Sequence, residues 1–208
     1  VEIQNMPHYF RLLNNQAGEN VLVTYSVDGK EQNQVFKPIS GRKMYNLAYE
    51  RYVKKRNEQV EELSDGKIGY VHVRGMNDAS FRQVYSDALG KHADKEALIV
   101  DTRFNGGGWL HDDLATFLGG KMYATFLPRG QKIGNEPLAK WYRPSAVIIG
   151  EGNYSDAHGF PFAYRALGIG KTIGMPIPGT MTAVWWETQI NRNICLLYTS
   201  PSPRDSVG

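Results

Sequence analysis

The sequence has very little cysteine, no long apolar run and no strong excess of charge of one sign. Its one cysteine, Cys195, lies in a C-terminal segment that differs from everything before it. The rest of the chain therefore has neither a disulfide framework nor a cysteine nucleophile. No apolar run approaches the roughly 20 residues that a membrane-spanning helix needs. We therefore expect no membrane span.

The charge of the chain is small and evenly distributed. The 208 residues carry a formal net charge of +3, and the densest basic run, Lys54-Lys55-Arg56, is followed closely by Glu58, Glu61 and Glu62. Such mixing is typical of a solvated helix face and not of a nucleic-acid-binding surface. With 41% hydrophobic residues, the composition is that of an ordinary globular protein, and we expect no nucleic-acid partner.

Two motifs that would indicate other chemistry are incomplete. Gly170-Lys171-Thr172 resembles the end of a P-loop, but Arg165 stands where the motif requires an earlier glycine. The elbow pattern G-x-S-x-G fails around Ser155, because Asn153 and Ala157 occupy its glycine positions. The sequence therefore favours neither a nucleotide site nor an α/β-hydrolase.

Metal and cofactor sites are also unsupported. The acidic residues Asp112, Asp113 and Glu136 have no histidine at the spacing that metal ligands require. We therefore expect that the protein binds no metal ion and no cofactor.

The last segment, residues 195–208, breaks from the pattern of the chain. Its first eleven residues, CLLYTSPSPRD, back-translate into DNA that resembles the transposase adapter used in sequencing libraries. We interpret residues 195–208 as adapter read-through, and we expect them to lack packing against the core. The alternative is a disordered tail rich in Ser and Pro. On the first interpretation, the native protein continues beyond Ile194.

Residues 1–40 are predicted to be the end of a small β-rich domain. A short helix is expected from Pro7 to Leu13, and the alternation from Val21 to Val27 indicates a strand. Asp28-Gly29 then supplies a hairpin turn, and the return strand includes Val35-Phe36.

Residues 41–65 are interpreted as a linking helix, placed from Met44 to Leu63, and residues 66–194 as the core. The core alternates strands with amphipathic helices, which predicts βαβ units, a largely parallel sheet and an α/β fold. Its strands are expected at 68–73, 97–100, 146–149 and 172–173, with helices carrying the apolar sets from Phe81 to Leu89 and from Leu110 to Leu118, and a third ending near Leu167.

The first turn with chemical potential is Gly106-Gly107-Gly108, where a buried strand ends and a helix begins. Three successive glycines leave their amides unshielded and allow positive φ. At a helix N-terminus, such amides form a positive site for a phosphate or an oxyanion. The structural alternative is a flexible turn packed closely against a neighbour.

The second turn, Asn153 to Ala157, follows a later buried strand. Ser155 stands at the N-cap position of the next helix, so capping is the structural alternative for this serine. The functional interpretation is a nucleophile whose hydroxyl faces the crevice beyond the strand ends. The Asp156 amide would then join the glycine amides in a two-donor oxyanion hole.

Four segments of the chain occur in one order and spacing: GKIGYVHV, LIVDTRFNGGG, GNYSDAHGFPFAYRALGIGKTIG and the Gly179-Thr180 pair. Together they resemble the tricorn-type serine proteases of the C-terminal-processing peptidase family. The resemblance covers Val1 to about Ile190. It implies a layered α/β core like that of crotonase or ClpP, and residues 1–40 resemble the last helix and strands of the PDZ domain that often precedes this core.

The resemblance assigns roles to four residues. Ser155 matches the family's nucleophile, and Gly108 matches the glycine whose amide lies in the oxyanion hole, with Gly107 as the neighbouring candidate. Asp156 matches the residue that supplies the second amide. The resemblance also implies that the substrates are peptides or unfolded polypeptides and that the full-length protein is a homo-oligomer.

The general base is missing from this assignment. In the tricorn-type proteases it is a histidine before the PDZ domain, and an orienting acidic residue follows the last core strands. Neither region is present, so we expect a fragment that is inactive alone. The family's other solution, a Ser–Lys dyad, has Lys171 as its candidate. We interpret His8, His72 and His92 as structural. The other two histidines, His111 and His158, lie near the crevice and are left unassigned.

Two other functions remain open at this point. A crotonase-type enzyme acting on an acyl-CoA thioester would use the same paired amides without a serine nucleophile, and a preceding PDZ remnant would be unexpected there. A non-catalytic peptide-binding module would use the crevice without any chemistry.

Overall fold

The computed structural model describes residues 8–179, 181, 184–192 and 194–198. The chain divides into two compact units, Val1–Lys54 and Lys55–Gly208. The division falls inside one long helix.

The first unit contains a 3₁₀ turn, Tyr9–Leu13, and a hairpin of β1 (Val21–Val27) and β2 (Lys30–Phe36). The strands are joined by Asp28 and Gly29, which both have positive φ, 51° and 75°. Positive φ at both central residues matches the right-handed twist of the strands, which explains the tight two-residue connection. The predicted hairpin is confirmed.

Helix α1 runs over Gly41–Leu63 and begins three residues before the predicted start. The Ser40 hydroxyl accepts a hydrogen bond from the Lys43 amide at 3.3 Å and so caps the first turn. After the helix, Asp65 and Gly66 adopt positive φ, and the Gly66 amide donates to the Glu61 carbonyl at 2.8 Å, which ends the helix.

The second unit alternates strands and helices around a four-stranded parallel sheet. In chain order the elements of this unit are β3 (Ile68–His72), α2 (Asp78–Ser86), β4 (Ala97–Asp101), α3 (His111–Leu118), β5 (Ala124–Phe126), β6 (Gly134–Glu136), β7 (Ser145–Ile149), α4 (Asp156–Ala166), β8 (Lys171–Gly174), β9 (Val184–Thr188) and β10 (Ile194–Tyr198). A π-helical turn, Asp87–Lys91, extends α2, and Pro128–Gly130 form a 3₁₀ turn.

The sheet has the strand order β3-β4-β7-β8, with all neighbouring pairs parallel. The predicted α/β fold with a parallel sheet is confirmed. Because β4 and β7 are direct neighbours, the turns that follow them leave the same edge of the sheet.

The core lies between the sheet and its helices. Sixteen buried side chains form one apolar cluster, and full burial of each large aliphatic side chain contributes about 1.5–3 kcal/mol to folding. Val71, Val100 and Val147 come from adjacent strands, and Leu114, Phe117 and Phe160 come from α3 and α4. The core therefore fixes α3 and α4 against the sheet, and both helices begin at its carboxyl edge.

Two hairpins lie outside the predicted pattern. Strands β5 and β6 pair with each other, and β9 pairs with β10. The second hairpin includes Cys195–Tyr198, whose backbone pairs with residues 184–187 and not with the four-stranded sheet. Residues 199–208 lie outside the described residues. The interpretation of residues 195–208 as read-through stays a prediction.

Candidate active site

The turn after β4 and the turn after β7 are in direct contact. We call residues 105–109 the glycine turn and residues 150–155 the serine turn. A methyl group on Gly107 would lie 2.7 Å from Ser155 Cβ, 2.8 Å from the Tyr154 carbonyl oxygen and 3.2 Å from the Asp156 amide nitrogen. Gly107 also has φ of 94°. Only glycine fits between the turns, so the fold brings together the two segments that the sequence singled out.

Ser155 has an unusual backbone conformation, with φ of 53° and ψ of −123°. A non-glycine residue held in so sparsely populated a region costs about 1–3 kcal/mol, and such residues cluster at functional sites. Its side chain makes no capping hydrogen bond to the helix that follows, and it is half-buried. Ser155 therefore stands at the N-cap position of α4 without capping the helix through its side chain, and the structural alternative of a capping serine is wrong.

The two glycine amides predicted for the oxyanion hole differ in their hydrogen bonds. The Gly107 amide donates to Asn105 Oδ1 at 2.9 Å. Gly108 lies beside Met76. The Met76 amide donates to the Gly107 carbonyl at 3.1 Å, and the Trp109 amide donates to the Met76 carbonyl at 2.8 Å, so both neighbours of Gly108 are bound to Met76. Within the described residues, the Gly108 amide has no acceptor. Of the two glycine amides predicted for the oxyanion hole, the structure leaves that of Gly108 available and that of Gly107 occupied.

The Asp156 amide is the first of α4 and, among the described residues, donates to no protein acceptor. The first amides of a helix have no partner within the helix and carry the positive end of its dipole. The unused Gly108 amide therefore lies in the glycine turn and the unused Asp156 amide directly after Ser155, in two segments that contact each other.

Asn105 holds the glycine turn to its surroundings and was not singled out from the sequence. It is fully buried, its Nδ2 donates to the Val73 carbonyl at 2.8 Å, and its own carbonyl accepts the Tyr154 amide at 3.0 Å. Its Oδ1 also accepts the Gly107 amide, so Asn105 links the end of β3, the glycine turn and the serine turn. The available signal was an asparagine between a buried strand and three glycines.

Asn153 performs the matching task in the serine turn. Its Nδ2 donates to Thr102 Oγ1 at 2.8 Å and to the Ala157 carbonyl at 3.1 Å. The Thr102 hydroxyl donates in turn to the Ile148 carbonyl at 2.9 Å. Asn153 is buried, and its Oδ1 has no hydrogen-bond partner among the described residues. The side chain ties the serine turn to the end of β4.

An ionic network anchors the start of the glycine turn. Asp101 is fully buried at the end of β4 and accepts hydrogen bonds from the Arg103 guanidinium, the shortest at 2.6 Å, and from the Tyr70 hydroxyl at 2.8 Å. Burial raises the pKa of Asp101, but the hydrogen bonds from Arg103 and Tyr70 outweigh it and hold the pKa below its usual range. The carboxylate is therefore structural.

Two of the three histidines interpreted as structural fit that interpretation. His72 Nε2 lies 3.2 Å from the Arg103 carbonyl oxygen, and buried His92 has Nε2 3.0 Å from the Tyr70 carbonyl oxygen. Burial lowers the pKa of both imidazoles. His8 is exposed in the first unit.

The two unassigned histidines have different surroundings. His111 begins α3, and its Nδ1 lies 2.5 Å from Asp156 Oδ1. His158 lines a cavity of about 470 Å³ together with Ile149 and Arg165, and burial lowers its pKa. His111 is thus linked to a residue of the serine turn's helix, whereas His158 faces a separate space.

Lys171 and Ser155 lie at opposite edges of the sheet, Lys171 at the start of a strand and Ser155 after the end of one. It is the first residue of β8 and pairs with Ala146, near the start of β7, whereas Ser155 follows the end of β7. Neighbouring parallel strands point the same way, so Lys171 lies at the amino edge and Ser155 at the carboxyl edge. The Ser–Lys alternative is therefore wrong for this pair.

Three large aromatic side chains are exposed in the two turns or directly before them. Phe104, Trp109 and Tyr154 are 75%, 78% and 55% exposed. Phe104 has φ of 64° and directly precedes the glycine turn, while Tyr154 directly precedes Ser155. Exposed aromatic groups beside a crevice offer apolar contact area to a ligand.

Within the part of the chain that the structure describes, there is neither a group of metal ligands nor a membrane-spanning helix. No three His, Cys, Asp or Glu side chains within them lie where they could hold a metal ion together. None of the helices described combines the length and apolar composition needed to cross a bilayer.

Comparisons with known proteins agree on one family. A model of Peptidase family S41 matches residues 67–202. Tricorn protease homolog 1 of Streptomyces coelicolor is 31% identical over 166 residues, and the tricorn protease of Thermoplasma acidophilum is 28% identical over 165 residues. The crystal structure of the tricorn protease superposes with a TM-score of 0.71 at 25% identity.

The matches cover most of this chain but little of each relative. The two sequence alignments cover 79% of this chain and 15% of each relative. The structural superposition covers 89% of this chain and 18% of the solved one. The chain therefore spans less than a fifth of the length of these three proteins.

Proposed function

The chain belongs to peptidase family S41, and on that basis we propose that it carries the nucleophile and both oxyanion donors of a serine endopeptidase. Ser155 is the nucleophile, and the amides of Gly108 and Asp156 are the donors. The substrates are peptides or unfolded polypeptides.

One observation carries this proposal. Ser155 is held in a strained conformation that frees its hydroxyl from capping, and it is held there in contact with a turn that offers an unused amide. Nucleophilic serines at strand-to-helix turns have this arrangement, with the amide of the following residue as one oxyanion donor. A purely structural serine would have no reason to retain the strain.

The chemistry follows from these positions. Ser155 Oγ attacks the carbonyl carbon of the scissile peptide bond, and its proton passes to a histidine supplied by a part of the protein outside this chain. The carbonyl oxygen becomes an anion, which the Gly108 and Asp156 amides stabilise. The leaving amine takes the proton from the histidine, and water then hydrolyses the acyl-enzyme.

The exposed aromatic side chains support a peptide substrate. Phe104, Trp109 and Tyr154 provide apolar surface next to the nucleophile, and unfolded polypeptides expose apolar side chains that such a surface can bind. An acyl-CoA substrate would require a site for its phosphates instead.

The wider organisation is part of the same proposal. Residues 66–194 form a core of the crotonase or ClpP type, residues 1–40 are the end of a PDZ-like domain, and residues 195–208 are read-through. The full-length protein is a homo-oligomer. The fragment alone is inactive because it lacks the base.

The experiment uses the full-length protein and its Ser155→Ala variant. A fluorophosphonate probe should label the wild type and spare the variant, and peptide hydrolysis should fall by at least about 10³-fold in the variant. The variant should stay folded by circular dichroism. Full peptidase activity in the variant would contradict the nucleophile assignment, and turnover of acyl-CoA without peptide hydrolysis would favour a crotonase-type enzyme.

A further inference from the structure

Asp156 has a buried carboxylate that does not serve its own helix. The side chain is 6% exposed and extends from the start of α4 to the start of α3. Oδ2 accepts hydrogen bonds from the Leu110 amide at 2.6 Å and the His111 amide at 3.1 Å, and Oδ1 lies 2.5 Å from His111 Nδ1. A carboxylate only accepts hydrogen bonds, so His111 Nδ1 is the donor.

The start of α3 needs this partner. Leu110 stands at the N-cap and has no side-chain acceptor, so the first amides of the helix lack the usual local cap. The two acidic residues of the first turn, Asp112 and Asp113, are exposed. Asp156 supplies the missing acceptor from 46 residues further along the chain.

This contact joins the two proposed oxyanion donors. Leu110 is two residues after Gly108, whose amide is one donor, and Asp156 carries the second donor on its own backbone. Hydrogen bonds donated to one carboxylate therefore fix the distance between the two segments that hold the amides. Oxyanion stabilisation depends on donors that are in place before the charge develops.

His111 keeps the carboxylate in this position. Its Nδ1 donates a hydrogen bond to Asp156 Oδ1, and its ring packs edge-on against Trp109, with 5.5 Å between the ring centroids. Rotation of the Asp156 side chain away from α3 would break three hydrogen bonds at once.

We propose that the Asp156 carboxylate and His111 form a clasp that positions the oxyanion hole. The clasp is defined by the three hydrogen bonds from Leu110 and His111 to Asp156. Both side chains are positioning residues that act through the Gly108 and Asp156 amides. The inference rests on the proposed peptidase function. It gives the side chains of Asp156 and His111 a role in that site, in addition to the roles of the Ser155 hydroxyl and the two amides.

The test compares substitutions at both ends of the clasp in the full-length protein. Asp156→Ala should lower kcat about 100-fold, because small displacements of catalytic groups have effects of that size. His111→Phe should lower kcat about 10-fold, with KM changed by less than about two-fold, since the loss falls on the transition state. The affinity for a peptide aldehyde, whose bound oxygen occupies the hole, should fall in parallel.

Conservative variants provide the matched partners. Asp156→Asn keeps an oxygen that can accept from the Leu110 amide, and His111→Asn keeps an N–H donor near the position of Nδ1. Each should recover much of the rate that its larger substitution loses. Asp112→Asn removes an exposed acidic group from the same helical turn and should leave kcat unchanged. The double variant Asp156→Asn/His111→Phe should lose less than the product of the single effects.

The outcomes separate the clasp from the peptidase proposal. Wild-type protein without peptidase activity, or Ser155→Ala with full activity, would overturn the proposed function. A Ser155-dependent peptidase that keeps its kcat and aldehyde affinity in Asp156→Ala and His111→Phe would overturn the clasp alone. Equal losses of kcat in Asp112→Asn and His111→Phe would also overturn it, because they would indicate a general effect of weakening α3.

Discussion

The glycine turn and the serine turn meet at one point but reach their positions in opposite ways. The glycine turn has positive φ at Gly107 and Gly108, where no side chain opposes it. The serine turn places a residue with a side chain, Ser155, at positive φ, at the position where the proposed chemistry needs a hydroxyl. One turn is shaped by the absence of side chains, and the other by strain that the surrounding structure must hold.

The largest expected effect concerns the strained side of this comparison. Ser155→Ala and Ser155→Gly should both reduce peptide hydrolysis by at least about 10³-fold, because neither retains a nucleophile. The glycine variant should nevertheless be more stable than the alanine variant by about 1 kcal/mol, because glycine adopts φ of 53° without strain. Chemical denaturation of both variants measures the difference. Equal stability would mean that the serine turn is not strained.

The next prediction concerns the unstrained side. Gly107→Ala places a methyl group 2.7 Å from Ser155 Cβ at φ of 94° and should cost about 2 kcal/mol or more of stability. Activity should fall about 10²-fold, because the two turns must separate. Gly106→Ala is the matched control: its methyl group meets nothing within 4 Å, and the free energy of unfolding should change by less than about 0.5 kcal/mol. Similar losses in both variants would indicate that loop flexibility, and not close contact, requires the glycines.

The next effect, on stability, is expected from the asparagines that anchor the turns. Asn105 uses both ends of its side chain, whereas Asn153 has an Oδ1 without a partner among the described residues. Asn105→Ala should therefore destabilise the protein by about 2–3 kcal/mol. Asn153→Ala should cost about 1 kcal/mol less, because each variant loses two hydrogen bonds but Asn153→Ala also removes a buried oxygen that has no partner among the described residues. Thermal unfolding gives the order, and the reverse order would show that the serine turn has the more important anchor.

The smallest effect is a difference in pH dependence. The segment that leads into the glycine turn is anchored by an ionised side chain, Asp101, whereas the serine turn is anchored by a neutral side chain, Asn153. A pKa lowered in the folded state means that Asp101 stabilises the fold above about pH 4, and that this contribution is lost as the pH falls through the folded-state pKa. Tyr70→Phe removes one hydrogen bond to the carboxylate and should cost about 1 kcal/mol at neutral pH.

Acid titration of stability checks this prediction. The difference between the wild type and Tyr70→Phe should shrink as Asp101 becomes protonated in both. A difference that stays constant from pH 7 to strongly acidic pH would mean that Tyr70 contributes through packing and not through the ionised carboxylate.

Local patterns in the sequence were sufficient for most of the fold. The apolar runs predicted β3, β4 and β7 to within one or two residues, and the Asp28-Gly29 pair predicted the hairpin turn. Strands β5 and β6 were missed, because each has only three residues, exposed in β5 and half-buried in β6, and so short a strand has no clear periodicity. The start of α1 was placed too late, because the cap at Ser40 precedes the apolar positions.

For the site, the sequence alone determined which residue types stand at the ends of two buried strands: three glycines after one and a serine after the other. Only the tertiary structure decided that these ends are neighbours, since β4 and β7 pair across more than 40 residues that include a separate hairpin. It also decided that the Gly107 amide is bound by Asn105, that Lys171 lies at the opposite edge and that Asp156 reaches His111. The physical reason is the same in each case: turn chemistry and hydrophobic periodicity are local, whereas hydrogen-bond partners depend on strand order.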